Sequence, residues 1–123
     1  LWNTVGSLEA TLEGHTKGVN DVVERGCGVV TASEDHTARV WEGSTCVAVL
    51  EGHTLWVSSA AVHPKTDNTV FTAAWDSTIR EWDVAAASCT RVLVGHQRGV
   101  TVLQFFPDGS LLSGSADHTV RVW

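Results

Sequence analysis

The sequence predicts an all-β fold of repeated four-stranded antiparallel sheets, and three observations carry that expectation. The phrase that closes the chain, Ser113-Gly114-Ser115-Ala116-Asp117-His118-Thr119-Val120-Arg121-Val122-Trp123, occurs twice more, from Thr31 to Trp41 and from Thr72 to Trp82. A polar run with Asp at its turn, followed by an alternating segment ending on Trp, is how a β-hairpin with one buried face is written. The closing tryptophans then recur at a near-constant spacing, 39 residues from Trp2 to Trp41 and 41 each to Trp82 and Trp123. Finally, Gly14-His15, Gly52-His53 and Gly95-His96 each precede a strand opening with Val19, Val57 or Val100, and each His stands 20 to 23 residues ahead of the turn Asp. A period of about 40 residues made of several short strands points to propeller blades rather than to a helical solenoid.

In chain order, Leu8-Glu9-Ala10-Thr11-Leu12 alternates apolar and polar residues, and residues 1–13 are expected to supply the outer strand of a preceding blade. Blade one takes residues 14–51, with strands near 19–24, 28–33, 37–42 and 46–51. Its first turn, Arg25-Gly26-Cys27-Gly28, is short and glycine-rich, as a tight connection requires. Blade two takes residues 52–94, with strands near 57–62, 69–74, 78–83 and 89–94 and a longer first turn from His63 to Asn68. Blade three takes residues 95–123, with strands near 100–106, 110–115 and 119–123, and Pro107-Asp108-Gly109 is a strong turn signal. It lacks an outer strand. Because propellers close with about 4–8 blades, the ring is incomplete in this chain. Either flanking blades lie outside this sequence, for which Leu1-Trp2-Asn3 reads as the tail of an earlier repeat, or copies of the chain associate head to tail.

Gly-His, a turn Asp and a closing Trp in each repeat, with Trp82-Asp83 as a literal dipeptide, resemble the WD-repeat (WD40) β-propeller family over essentially the whole chain. The resemblance implies that His, Ser or Thr, Asp and Trp tie each blade together as a hydrogen-bonded tetrad. The sets would be His15, Thr31, Asp35 and Trp41; His53, Thr72, Asp76 and Trp82; and His96, Ser113, Asp117 and Trp123. The hydroxyl is taken four residues before each Asp, because the position two before it offers Ser33, Ala74 and Ser115, and alanine has no hydroxyl. The chemistry is self-consistent, since a Trp donates only, a hydroxyl and a neutral imidazole each do both, and a carboxylate accepts only.

Composition narrows the function. Fourteen acidic against eight basic residues leave a net charge of −6, contrary to the positive surface that a sequence-independent grip on nucleic acid needs. Of the six arginines, Arg39, Arg80 and Arg121 hold one repeat position, a strand-face feature rather than a basic patch. No stretch approaches the roughly 20 apolar residues of a membrane helix. Cys46 and Cys89 occupy equivalent places in successive blades, too far apart to bridge, and with Cys27 they make an odd number, so reduced thiols and an intracellular setting, cytoplasmic or nuclear, are expected.

Ser, His and Asp in every repeat are expected to be structural, since a catalytic triad is needed once and a structural device in every blade. No catalytic, metal or cofactor site is expected: His36 and His118 sit in different blades, no zinc spacing occurs and no phosphate loop is present. What breaks the repeat is more informative. Trp56 stands where the other blades have Gly18 and Gly99, and Trp75 where they have Glu34 and Ala116. By the family resemblance these positions face the narrower top surface, so Trp56, Ser58 and Trp75 are the candidate partner-binding patch, with packing between blades as the alternative. The expected function is a non-enzymatic scaffold that binds a protein or peptide through that face. A nucleic-acid or histone-tail reader and a self-assembling unit without a client are the alternatives.

Overall fold

The computed structural model describes residues 10–123. They form three antiparallel meanders. The first holds β1 (Val19–Arg25), β2 (Gly28–Ser33), β3 (Thr37–Glu42) and β4 (Thr45–Glu51), and the second β5 (Val57–Val62), β6 (Thr69–Ala74), β7 (Thr78–Asp83) and β8 (Ser88–Val94). The third holds β9 (Val100–Phe105), β10 (Leu111–Ser115) and β11 (Val120–Val122). These are propeller blades, all-β as the sequence predicts, and no helix among the described residues is long and apolar enough to cross a membrane. Of the outer strand expected ahead of blade one, residues 10–12 carry no strand and the remainder lies outside the described residues.

Burial explains the strand compositions. The second strands, β2 and β6, are buried along most of their length, because a neighbouring sheet or loop covers each face, and their Val, Ala, Thr and Phe residues run without alternation. The outermost strands β4 and β8 face solvent on one side and alternate accordingly. The first strand of each blade carries a bulge beside its opening valine, at Asn20, Ser58 and Thr101, which turns the next side chains toward the adjoining blade.

The core lies in the seams. Val30, Val40 and Leu50 of blade one pack in one cluster with Val57, Val70, Trp82 and Val84 of blade two, and Phe71 and Ile79 of blade two pack with Val100, Leu103 and Leu111 of blade three. Each fully buried Val, Leu or Phe stabilises the stack by about 1.5–3 kcal/mol relative to exposure.

Candidate functional site

In each blade four side chains from different elements converge. In blade one Trp41 on β3 donates Nε1–H to Thr31 Oγ1 at 3.0 Å, Thr31 lies 2.6 Å from His15 Nε2, and His15 Nδ1 lies 2.8 Å from Asp35 Oδ2. Blade two repeats this with Trp82, Thr72, His53 and Asp76 at 2.8, 2.7 and 2.8 Å. Blade three does so with Trp123, Ser113, His96 and Asp117 at 2.9, 2.7 and 2.9 Å. Every group is satisfied only if the hydroxyl accepts from the indole and donates to Nε2, leaving Nδ1–H to the carboxylate, so the network itself assigns the neutral Nδ1–H tautomer.

The carboxylates are held from more directions than the sequence analysis named. Thr37, Thr78 and Thr119, each two residues after the Asp, donate their hydroxyls to Oδ1 at 2.6, 2.6 and 2.5 Å and their backbone N–H to the same oxygen. The amides of Thr16, Thr54 and Gln97, next to each His, bind Oδ2. The intervening His36, Ser77 and His118 take left-handed φ of 74°, 72° and 73° to close these turns. The Asp-x-Thr spacing was present in all three repeats and was the legible signal.

Burial pushes the Asp35 carboxyl up, but hydrogen bonds from Thr37 and His15 outweigh it and hold the group well below the usual carboxylate range. In Asp76 burial is likewise outweighed, there by His53 and Thr78, and Asp117 is lowered chiefly by the Thr119 hydroxyl. The serines of the alternative hydroxyl position serve the loops instead: Ser33 and Ser115 bind the carbonyls of Gly18 and Gly99 at 2.9 Å.

The Gly-His glycine has its own reason. A Cβ at Gly14 would lie 2.5 Å from Arg39 Nη1, so the guanidinium lies against bare backbone there, and Nη1 reaches Cys46 Sγ at 3.6 Å. Arg80 and Cys89 make the same contact in blade two, and Cys27, Cys46 and Cys89 are all free thiols. Among the described residues no three His, Cys, Asp or Glu side chains gather as a metal site.

The structure places Trp56 and Trp75 side by side. Trp75 N–H donates to the Trp56 carbonyl at 2.9 Å, the two residues are 47% and 43% exposed, and with Leu55 they line an open apolar depression of about 350 Å³. Leu55 was not foreseen. Trp75 also serves packing, since its ring lies so close over Gly99 of blade three that a Cβ there would be 2.2 Å from Cε3. Ser58 is set apart from the indoles. Its hydroxyl is half-buried in the seam, donating to Ala73 O at 3.1 Å and to Val100 O of blade three. The bulge turns it toward the next blade rather than toward the depression.

Residues 6–42, 44–83 and 87–123 each match the family model for the WD domain, G-beta repeat. Two of the matches run one strand out of step with the sheets: 44–83 contains β4 of blade one with β5, β6 and β7 of blade two, and 87–123 contains β8 of blade two with β9, β10 and β11 of blade three, so these sequence repeats stitch neighbouring blades together. A Ribosome biogenesis protein WDR12 homolog of Drosophila erecta is 33% identical over 151 aligned residues, covering the whole chain and 36% of that protein. Coatomer subunit beta'-2 of Arabidopsis thaliana is 37% identical over 68% of the chain and 9% of its own length. The F-box/WD repeat-containing protein sel-10 of Caenorhabditis elegans is 38% identical over 77% of the chain and 16% of its length. The chain thus spans about a third or less of the length of these curated relatives. Three consecutive matches covering nearly all of its residues make the chain a member of the WD40 repeat family.

Proposed function

We propose that the chain is a non-enzymatic interaction scaffold that binds a protein or peptide segment at the Leu55, Trp56 and Trp75 depression. The carrying observation is that two tryptophans, at positions where the sister blades hold Gly18 and Gly99 or Glu34 and Ala116, stand exposed together around one apolar depression. The sister blades fold without an indole at either position, and Trp is among the residues most enriched at interface hot spots. A non-catalytic role is supported by the tetrads, in which each hydroxyl, imidazole and carboxylate already has its partners and Thr31, Thr72 and Ser113 are buried. The net charge of −6 supports a protein partner over nucleic acid.

The three relatives carry three different roles in their names at 33–38% identity, so what they have in common with this chain is the repeat. Alignment over the whole chain favours ribosome biogenesis as the setting in which to seek the partner, and free thiols fit an intracellular place.

A peptide selected from a display library against the 123-residue chain is the test. Trp56→Ala should weaken its binding at least tenfold, with the unfolding midpoint nearly unchanged. Equal binding by the variant would place the site elsewhere.

A further inference from the structure

Blade two has a neighbouring blade on both sides, so what its loops expose does not depend on where the sequence starts or stops. In every blade two loops meet beside the opening valine, because the residue before the turn Asp donates its backbone N–H to the carbonyl of the residue before that valine. The bonds run from Glu34 to Gly18, from Trp75 to Trp56 and from Ala116 to Gly99, each at 2.9 Å. Immediately ahead of those carbonyls stand Lys17, Leu55 and Arg98. All three are exposed, and Lys17 and Leu55 are so with a following blade in place. The exposure of Arg98 therefore belongs to its position in the repeat and not to the end of the chain.

The two loops give each blade a different character. Blade one combines Lys17 with Glu34, whose carboxylate folds over Gly18, where a Cβ would lie 3.3 Å from Oε2. The two charges offset each other. Blade two combines Leu55 with Trp75 and carries no charge at either position. Blade three combines Arg98 with Ala116, so the cation there has no counterpart to Glu34. The tetrad aspartates are common to all three blades and already hold their own donors.

Among the described residues Arg98 makes no ion pair, whereas Arg25 and Arg91 are paired with Glu42 and Glu81. Its backbone is fixed by the Ser115 hydroxyl, which donates to the Arg98 carbonyl at 3.1 Å, while the side chain is left in solvent. The Trp75 ring lies over Gly99, the residue after Arg98, so the apolar depression borders the loop that carries this cation. A segment that fills the depression and continues toward blade three meets an unpaired guanidinium. One that continues toward blade one meets charges that cancel. Remote acidic residues are screened over about 8 Å at physiological salt, so the nearest charge decides which partner is favoured despite the net charge of −6.

We infer that the Leu55, Trp56 and Trp75 depression takes an acidic peptide segment, in which a bulky apolar side chain fills the depression and a carboxylate on its blade-three side pairs with Arg98. This rests on the docking reading proposed above and adds the chemistry of the partner. Arginine suits the role, because its planar guanidinium holds a carboxylate through two parallel N–H···O bonds.

Two labelled synthetic peptide pools test this, both with a central Trp, one flanked by Asp and Glu and the other by Lys, with binding to the 123-residue chain read by fluorescence anisotropy. The acidic pool should bind more tightly, and added salt should weaken it. Arg98→Glu should weaken the acidic pool about fivefold or more and reverse the preference between the pools. Lys17→Glu changes the net charge equally but beside Glu34, and should alter the same binding by less than about twofold. Both positions are exposed, so neither substitution should change the far-ultraviolet circular dichroism. Trp56→Ala should weaken both pools. If it does so while neither pool is preferred, or while Arg98→Glu and Lys17→Glu act equally, the depression docks a segment without reading its charge, and this inference falls alone. If Trp56→Ala weakens neither pool, the docking reading falls and this inference with it. Displacement of the acidic pool by a single-stranded oligothymidine would assign the site to nucleic acid and would equally overturn the proposal.

Discussion

His53 Nδ1 lies 2.8 Å from Asp76 Oδ2, with both side chains more than nine-tenths buried, so the loop that enters blade two and the β6–β7 turn are joined through one proton. His15 with Asp35 and His96 with Asp117 make the same link in the other blades. The carboxylate ends a chain that begins at the indole of the blade tryptophan and passes through a Thr or Ser hydroxyl and an imidazole.

Asp76→Ala removes the acceptor for His53 Nδ1–H, the Thr54 amide and the Thr78 hydroxyl and amide together. It should destabilise the chain by about 1–3 kcal/mol, the cost of leaving buried donors unpaired, as read from urea unfolding. Lys65→Ala, at an exposed position, should change stability by less than about 0.5 kcal/mol. His63 is no suitable control, since it is half-buried and packs edge-on against Phe105 with ring centroids 5.3 Å apart. Equal losses from Asp76→Ala and Lys65→Ala would contradict the tetrad as a source of stability.

The same carboxylates set the acid limit. Asp35, Asp76 and Asp117 lie well below the usual carboxylate range when folded and return to about 3.9 when unfolded. A depressed native value means that the unfolded chain binds protons first, so the contribution is complete above the unfolded value and is lost as pH falls below it. Unfolding midpoints should therefore drop steeply once pH passes below about 4, and Asp76→Asn should show a shallower drop. Parallel profiles for the two proteins would refute the assignment.

Trp75 and Gly99 form a testable pair, because the three atoms nearest a Cβ at position 99 all belong to the Trp75 ring. Gly99→Ala should cost about 1–3 kcal/mol by displacing the indole. In a Trp75→Ala background the same change should be neutral, or stabilising by about 0.4–1 kcal/mol through a less flexible unfolded chain. The resulting coupling is read from a double-mutant cycle, and additive effects would show that the indole does not rest on this glycine.

The three blades and the spacing of His, Asp and Trp were legible because each is a local pattern written three times, and a strand ladder between neighbouring segments follows from alternation and turn chemistry alone. The Asp-x-Thr hydroxyls were equally local and equally repeated; what concealed them was that a Thr opening a strand reads as β-propensity before it reads as a ligand.

The contacts between blades were decided only by the tertiary structure. Ser58 reaching Val100, Asp21 reaching Ala60 and Trp75 resting on Gly99 join residues from adjoining sheets, and whether they meet depends on how far one twisted sheet is rotated against the next. Alternation along a strand says which face a side chain leaves from; it carries no information on the rotation that determines what lies opposite. Hence the sequence by itself singled out Trp56 and Trp75 as departures from the repeat, and the family resemblance grouped Ser58 with them, while packing sorted the three, turning Ser58 into the seam and leaving the two indoles exposed with Leu55.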